Sequence, residues 1–316
     1  MTHFLISVVI PIYNGEQDIP DLIQCLQAQS YPWEQVEYLF VDNGSQDQTG
    51  TLIEKYRENL ATCGIEIKLF QENKIQSSYA ARNRGIRAAA GKIIAFTDAD
   101  CRPLPCWLAE LIQPFSDPKV GIVAGEIIAL PSENILEKYA ESEKTLSQIH
   151  TLNHPFYPYG QTANLAIRRS ILDQVGLFRP YLTTGGDADL CWRILRETSY
   201  QIKFADTAQV QHRHRSTLLE LRKQWQRYGE SNQYLHQLYG IPLMRELKPS
   251  ELFYRLIRWL LKELPLTTWE FIVGKGNLLD LAKTPIGLIN MSARTQGQRQ
   301  AQLSEKAREI EWFSGE

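Results

Sequence analysis

Alternation of strands and helices is the feature of this sequence that most limits what the chain can fold into. In the first hundred residues, near-continuous apolar runs suited to buried strands alternate with segments whose apolar residues recur at helical spacing. The predicted strands are 5–12, 36–41, 65–70 and 92–97, and the predicted helices are 16–29, 49–60 and 77–90. This order implies right-handed crossovers and an open, mostly parallel sheet with helices on both faces.

Two of the predicted strands run directly into aspartates, Asp42 and Asp98. In sheets of this kind, ligands bind at the carboxyl ends of the strands. Asp98 and Asp100 are two residues apart, so in an extended chain their carboxylates point to the same side and repel each other. Mg²⁺ or Mn²⁺ with a phosphate would relieve that repulsion. The alternative is that both aspartates cap a helix that begins near Pro105.

The rest of the chain is less regular and becomes helical towards its end. Helices are predicted near 105–115, 133–148, 187–199 and 215–238, and 251–312 shows only helical patterns. Gly240-Ile241-Pro242 is typical of a boundary. We therefore predict an α/β domain over residues 1–240 and a C-terminal helical extension over 241–316.

Composition excludes several classes of protein. The 316 residues carry a formal net charge of -2, which gives no support to a generally basic, nucleic-acid-binding chain. The five cysteines include no Cys-x-x-Cys pair, which favours reduced thiols in the cytoplasm over a disulfide framework or a structural zinc site. The N-terminus lacks a basic region and is predicted to be a strand, not a signal peptide. The sequence contains no uninterrupted apolar run of about 18 residues, so no membrane-spanning helix is predicted.

A series of short motifs carries a resemblance to a known family. They are Val9-Ile10-Pro11-Ile12-Tyr13-Asn14, Val41-Asp42-Asn43-Gly44-Ser45-Gln46-Asp47, Ala81-Arg82-Asn83-Arg84-Gly85, Asp98-Ala99-Asp100, Thr162-Ala163-Asn164-Leu165-Ala166 with Arg168-Arg169, Gly186-Asp187-Ala188-Asp189-Leu190 with Arg193, and His212. In this order and spacing they resemble the family 2 glycosyltransferases. The resemblance implies a GT-A fold, a Rossmann-like nucleotide-sugar-binding domain with a mixed, mostly parallel sheet, and an inverting enzyme.

The resemblance also implies which residues hold the donor, a nucleotide sugar that is most often UDP-linked in this family. Pro11, Tyr13 and Asn14 would line the nucleotide pocket, Asp42 would accept a hydrogen bond from the base, Arg82 would contact phosphate or base, and Asp98 would reach the ribose or the metal. The alternatives are that the first loop and Asp42 simply form ordinary turns, and that Arg82 is an exposed arginine on a helix with no ligand to bind.

The metal ligands follow from the same resemblance. Asp100 would ligate Mn²⁺ or Mg²⁺ directly, and a histidine after a late strand would complete the shell. His212 occupies that position, with His214 as the nearby alternative. A lone histidine is otherwise more often structural.

The catalytic base is implied to be Asp187. Family members usually show Glu-Asp-x-Asp-Leu near the start of a helix, and the first Asp deprotonates the acceptor. Gly186 replaces the glutamate here, so the motif does not specify which residues surround the base. Asp189 is expected to orient the acceptor or to support the helix. The mechanism implied is direct displacement at the anomeric carbon, with a saccharide or lipid-linked acceptor.

Two helical segments extend this picture. Gln224-Trp225-Gln226-Arg227-Tyr228 resembles the Gln-x-x-Arg-Trp element of processive synthases, but without their membrane helices, which favours a non-processive enzyme; packing of an amphipathic helix is the alternative. The segment 251–264 combines apolar residues at helical spacing with Arg255, Arg258 and Lys262. It predicts peripheral contact with the inner face of the cell membrane, or else packing on the catalytic domain or in a homodimer.

Four other classes of protein fit the sequence less well. A sugar nucleotidyltransferase uses a similar sheet but should show a Gly-rich, Arg-containing loop after its first strand. The sequence also lacks the glycine patterns of P-loop enzymes and of dinucleotide-binding dehydrogenases. A non-catalytic sugar-nucleotide-binding protein would not need Asp187 together with the Asp98/Asp100 pair.

Overall fold

A computed structural model of the chain describes residues 4–132 and 134–313. Within this part of the chain, eight strands form one sheet. They are β1 (Ile6–Ile12), β2 (Val36–Asp42), β3 (Glu66–Gln71), β4 (Ile93–Phe96), β5 (Cys101–Pro103), β6 (Val120–Ala129), β7 (Leu165–Arg168) and β8 (Gln201–His212).

The α-helices are α1 (Ile19–Gln27), α2 (Thr49–Ala61), α3 (Ser78–Ala88), α4 (Trp107–Ile112), α5 (Ile135–Ser142), α6 (Gln148–Leu152), α7 (Arg169–Val175), α8 (Gly186–Glu197), α9 (Leu218–Tyr239), α10 (Pro249–Arg258), α11 (Leu264–Ile272) and α12 (Leu278–Gln300). Short 3₁₀ turns lie at Trp33–Gln35, Gln113–Ser116, Thr162–Asn164 and Lys306–Arg308, and a π-helical turn at Trp259–Glu263.

The strand order is β3-β2-β1-β4-β7-β6-β8-β5. β3, β2, β1 and β4 run parallel, and Val8 of β1 lies between Tyr38 and Ala95 of its two neighbours. β7 pairs antiparallel with β4 and β6, and β5 pairs antiparallel with β8. The predicted α/β fold with a mixed, mostly parallel sheet is therefore confirmed.

The apolar runs of the sequence become the centre of the sheet. Every residue of β1, β2 and β4 is buried, as expected for parallel strands covered by helices on both faces. α1 contributes Ile19, Leu22, Ile23 and Leu26, whose spacing of three and four residues places them on one buried face.

Strand order reverses next to β1, and this reversal creates a place for a ligand. The chain passes from β1 outward to β2 and β3 and then returns to β4 on the other side of β1. The loops after β1 and β4 therefore diverge in opposite directions and leave a crevice at the carboxyl edge of the sheet. The loop Tyr13-Asn14 and the turn at Asp98 follow these two strands.

Two helix predictions were wrong. The predicted helix 133–148 ends early: α5 stops at Ser142, Lys144 has a φ of 49°, which a continuous helix cannot contain, and α6 begins only at Gln148. The helical pattern after Gln300 yields only the turn Lys306–Arg308. Burial of Leu303 and Ala307 in an irregular segment shows tertiary packing overriding helix propensity there.

The described residues divide into two compact units. The first comprises residues 4–128, 146–212 and 304–313, and the second comprises 129–132, 134–145 and 213–303. α9 thus belongs to the same unit as the helices after residue 240, whereas the C-terminal segment belongs to the unit with the sheet. The division at residue 240 into a catalytic domain and a C-terminal helical extension stays a prediction.

In the second unit, α9 and α12 pack at very short range. A Cβ on Gly229 would lie 2.0 Å from the carbonyl oxygen of Arg294, and one on Gly297 would lie 2.0 Å from that of Gln226. Trp225, in the segment that resembles Gln-x-x-Arg-Trp, packs against a small core built on Leu221 and Ile286. These contacts support the packing interpretation of that segment. No helix in residues 4–132 or 134–313 combines the length and apolar character needed to cross a membrane.

Candidate active site

The loops after β1 and β2 are joined through Asn14. Its backbone N–H donates to Ser45 Oγ (2.9 Å), and its side-chain Oδ1 accepts from the N–H of Gln46 (2.8 Å). Asn14 has a φ of 50°, in the left-handed region that Asn tolerates better than most residues. Its side chain therefore shapes the crevice by joining the two loops.

The other residues expected to hold the nucleotide differ in accessibility. Pro11 is buried inside β1, whereas the Tyr13 side chain is 49% exposed and open to stacking. Asp42 closes β2, and its carboxylate accepts from the Ser45 N–H (2.9 Å) and from Gln71 Nε2 (3.2 Å). Asp42 is thus a turn-forming residue with acceptor capacity left, so the two interpretations of it are compatible.

Arg82 joins the α3 side of the crevice to the turn after β4. Its guanidinium is buried and donates to Asp98 Oδ1 at 2.6 Å. Burial lowers the pKa of Arg82, but the charges of Asp98 and Asp187 outweigh that effect and raise the pKa above its usual value. One buried cation therefore lies in the field of two carboxylates from different motifs, and the exposed-arginine alternative does not apply.

Asp98 and Asp100 lie in a turn and not in the extended chain that was expected. β4 ends at Phe96, and a turn follows in which the N–H of Cys101 donates to the carbonyl of Asp98 (3.1 Å). In this turn each carboxylate has its own partner: Asp98 pairs with Arg82 and Asp100 with His212. Neither caps α4, which begins at Trp107 without a side-chain cap.

Asp100 and His212 form the group best suited to a divalent cation. The pairing of β5 with β8 sets Cys101 opposite His212, which brings His212 Nε2 to 3.3 Å from Asp100 Oδ2. Ligand atoms of Asp100, Cys101 and His212 lie within 4.8 Å of one another. The alternative His214 belongs to the second unit.

The donor set fits a hard cation. Burial, with the charges of Asp100 and Asp98, raises the pKa of the Cys101 thiol well above its usual value. Cys101 donates to the carbonyl of Ala163 (3.8 Å). That leaves one carboxylate and one imidazole, which suit Mn²⁺ or Mg²⁺ completed by phosphate and water oxygens.

Asp187 lies in the first turn of α8 and is partly buried. Its carboxylate accepts from the N–H of Thr162 (3.3 Å) and from Thr162 Oγ1 (3.1 Å). Burial raises the pKa of Asp187, and the charge of Asp98 raises it further. The charge of Arg82 and the hydrogen bonds from Thr162 lower that pKa, but the net shift is upward. A raised carboxyl pKa favours proton transfer near neutral pH.

Tyr79 accounts for the glycine that precedes Asp187. The Gly186 N–H donates to the Tyr79 hydroxyl (3.0 Å), and a Cβ on residue 186 would lie 2.7 Å from the ring carbon that bears that hydroxyl. The ring is held by stacking on Phe178, with centroids 5.4 Å apart. Any larger side chain at position 186, including the glutamate of the family motif, would collide with Tyr79.

Asp189 points away from Asp187 and is fully buried. It accepts from Arg179 Nε (2.8 Å) and from Arg193 Nε (3.1 Å), and Arg193 donates further to the carbonyl of Leu177 (2.6 Å). With no exposed surface, Asp189 cannot contact an acceptor. Of the two roles considered for it, supporting the helix is the one that this geometry allows.

Sequence reasoning missed the partners of the candidate residues. Thr162 stands in one of the motifs but had no expected role, and Tyr79 had none either. Asn164 was also unassigned, although it accepts from Trp107 Nε1 (2.7 Å) and donates to the carbonyls of Glu126 (2.8 Å) and Ala208 (2.7 Å). The only sequence signal for these partners is the Thr162-Ala163-Asn164 motif, in which Thr162 and Asn164 both stand. The three hydrogen bonds of Asn164 explain why the motif has an Asn at that position.

Comparison with known proteins identifies the family of the chain. Residues 7–182 match the model of the family described as "Glycosyl transferase family 2". The chain is 31% identical over 201 residues to glycosyltransferase AglE of Haloferax volcanii, covering 63% of this chain and 64% of that protein. It is 30% identical over 222 residues to the pre-mycofactocin glycosyltransferase of Mycobacterium tuberculosis, covering 69% and 44% respectively. The match therefore spans less than two thirds of these relatives.

Solved structures share the fold. A mannosyltransferase from Pyrobaculum calidifontis, in complex with GDP-Man and Mn²⁺, superposes with a TM-score of 0.64 at 16% identity, covering 95% of this chain and 89% of that one. Staphylococcus aureus TarS in complex with UDP-GlcNAc gives a TM-score of 0.51 at 17% identity, covering 93% and 91%. At such identities the likeness concerns the fold alone.

Proposed function

The chain belongs to glycosyl transferase family 2, with a GT-A fold, and we propose that it transfers a sugar from a UDP-linked donor to an acceptor hydroxyl. The observation that carries the proposal is the arrangement around Arg82. This buried cation pairs with Asp98 and feels the charge of Asp187, so the expected donor side and the expected base share one polar site.

The donor is proposed to lie in the crevice between the β1 and β4 loops. Tyr13 offers an exposed ring for the base, and Asp42 retains acceptor capacity for a base N–H. Arg82 and Asp98 reach the ribose and the phosphates, while Pro11 and Asn14 shape the loop that surrounds them. We propose UDP as the donor nucleotide because TarS was solved in complex with UDP-GlcNAc. GDP is the alternative nucleotide to test, because the mannosyltransferase was solved in complex with GDP-Man.

A divalent cation, Mn²⁺ or Mg²⁺, is proposed as the cofactor, held by Asp100 and His212. When bound there, it would supply positive charge for the leaving diphosphate. The pairing of β5 with β8 orients the two ligands, and the Cys101 thiol donates to the carbonyl of Ala163.

Asp187 is proposed as the general base. It takes the proton of the acceptor hydroxyl, and the resulting oxygen attacks the anomeric carbon opposite the leaving diphosphate, which inverts the configuration. Thr162 holds the carboxylate through two donors, and Tyr79 holds the N–H of the preceding residue. Together they fix the first turn of α8.

The enzyme is proposed to be non-processive, with a saccharide or lipid-linked acceptor in polysaccharide or glycoconjugate synthesis. For its location we propose the cytoplasm, where reduced thiols are the rule, because all five cysteines are free. Nucleic acid is not a proposed partner, given the net charge of -2.

Donor binding should depend on the metal. Calorimetry of UDP is expected to show binding that is about tenfold or more tighter with Mn²⁺ than with excess chelator. Asp100→Asn should abolish the difference, because it removes a carboxylate ligand. Asp173→Asn, an exposed aspartate of α7, serves as the matched control and should behave as wild type. Equal affinity with Mn²⁺ and with chelator would contradict the metal assignment, and tighter binding of GDP would correct the nucleotide.

A further inference from the structure

α10, the π-helical turn and α11 form one helical rod from Pro249 to Ile272. The backbone keeps right-handed helical angles where the three segments join. Pro265 lacks the N–H that an α-helix would direct to the carbonyl of residue 261, which accounts for the widened turn just before it. The rod is about 36 Å long. None of its residues is buried.

The apolar side of this rod points into solvent. Phe253, Ile257, Leu260 and Leu261 follow helical spacing and are 67%, 40%, 54% and 73% exposed. The opposite side packs on α12, where Trp259 Nε1 donates to the carbonyl of Leu281 (3.2 Å). The exposed side continues along α11. We call it the outer face; it consists of Phe253, Ile257, Leu260, Leu261, Leu266, Trp269 and Ile272.

An amphipathic helix of a water-exposed unit normally turns its apolar side inward, whereas this rod does the reverse. A contiguous exposed apolar surface of this kind marks a contact with another molecule or with a membrane. Trp269 and Tyr254, 65% and 64% exposed, have the amphipathic rings that favour a bilayer–water boundary.

A basic cavity adjoins the N-terminal half of the rod. It has a volume of about 770 Å³, and its charged lining consists of Arg245, Lys248, Arg255, Arg258, Glu251 and Glu263. Arg245 and Arg255 share Glu251, each at 2.7 Å, and Arg258 pairs with Glu263 at 2.9 Å. Four cations against two carboxylates leave an excess of positive charge, and guanidinium groups match phosphate oxygens in shape.

We propose that the rod lies in the headgroup layer of an anionic bilayer, with the outer face among the acyl chains and a lipid phosphate in the basic cavity. The charges of Arg255, Arg258 and Glu270 keep the rod parallel to the membrane plane. Apolar insertion and attraction to anionic headgroups are the two contributions that hold an interfacial helix. In a symmetric dimer built on the outer face, the basic cavities of the two copies would lie beside the same interface and repel each other, so the excess positive charge favours an anionic bilayer.

Co-sedimentation of the full chain with vesicles tests the outer face. Vesicles of phosphatidylcholine containing phosphatidylglycerol should bind the chain, and vesicles of phosphatidylcholine alone should bind it more weakly. Leu261→Asp combined with Ile272→Asp should weaken binding by about tenfold or more, because both side chains enter the acyl region. Leu219→Asp, at a residue of α9 that is 64% exposed, is the matched control and should bind as wild type.

A second pair of variants tests the cavity. Arg245→Gln removes an exposed arginine that pairs with a glutamate, and Arg57→Gln removes another such arginine on α2, paired with Glu54 at 2.7 Å. Arg245→Gln should weaken binding to the anionic vesicles by about fivefold, the effect of one cation near the surface. Arg57→Gln should leave binding unchanged. Equal losses in both variants would overturn the cavity as a phosphate site.

The same variants distinguish a membrane from a second copy of the chain as the partner of the outer face. If the full chain ignores anionic vesicles, or if Leu261→Asp with Ile272→Asp turns a dimer into a monomer without changing vesicle binding, the proposal is wrong. The outer face would then be an interface between copies. UDP binding in solution should be the same in all four variants, so failure of this proposal is distinguishable from failure of the donor site.

Discussion

Asp187→Asn is expected to lower the rate of sugar transfer by about 10²-fold or more, the usual contribution of a general base. The substitution keeps the shape of the side chain but removes its ability to take a proton. Binding of UDP with Mn²⁺ should survive, since Asp187 contacts Thr162 and is not among the proposed metal ligands. The measurement is the rate of UDP release from the donor, compared with the control Asp173→Asn.

The same variant should gain stability above the folded pKa of Asp187. Folding raises the pKa of Asp187, mainly through burial. A carboxyl group with a raised pKa contributes stability that is fully present below its unfolded pKa and is lost as pH rises through the folded pKa. Above the folded pKa the charged carboxylate therefore weakens the fold, and Asp187→Asn should raise Tm there. The gain should disappear in acid, where wild-type Asp187 is protonated.

The pH dependence of turnover should report the ionisation of Asp187. The rate should fall as pH decreases through the raised pKa of Asp187, because the protonated carboxyl group cannot accept the acceptor's proton. A variant Asp187→Asn with near-wild-type turnover, or with weakened donor binding instead, would contradict the assignment of Asp187 as base.

Asp189→Asn should act on the fold and not directly on the chemistry. Asp189 is fully buried and forms ion pairs with two arginines, Arg179 and Arg193. Removing its charge leaves buried guanidinium groups without a counter-charge, at a cost of about 3–5 kcal/mol. Unfolding in urea is the measurement, with the exposed Asp206→Asn as control, expected within about 0.5 kcal/mol of wild type.

The two aspartates lie two residues apart on α8, and their responses should be opposite. Asp187→Asn should keep or gain stability and lose activity. Asp189→Asn should lose stability, and any folded fraction should retain turnover. If Asp189→Asn abolished transfer in a chain of wild-type stability, the acceptor would have to approach from another side of the helix, and the assignment would be off by two positions.

Periodicity was sufficient to predict the centre of the fold. β1, β2 and β4 are buried on both faces, which requires near-continuous apolar sequence of a kind that solvent-exposed segments rarely have. The less regular stretch from 133 to 148 was predicted as one helix because its propensities are helical. The left-handed Lys144 divides it, and no local signal marked that residue.

The partners of the site residues could not be predicted, because they come from distant parts of the chain. Tyr79 reaches Gly186 across 107 residues of sequence, and Thr162 reaches Asp187 across 25. Side-chain contacts of this kind have no period. The closeness of Asp100 and His212 depends on the register of β5 with β8, which the motif spacing did not specify.

Turnover of the donor is the decisive measurement for a metal-dependent sugar transferase. The chain is incubated with Mn²⁺ and a panel of UDP- and GDP-linked sugars, with and without hydroxyl acceptors, and the nucleotide products are separated. We expect that one UDP-sugar yields UDP, that chelator or Asp100→Asn stops the release, and that an acceptor accelerates it. Donors left intact in every condition, or pyrophosphate formed from UTP and a sugar phosphate, would contradict the proposed function.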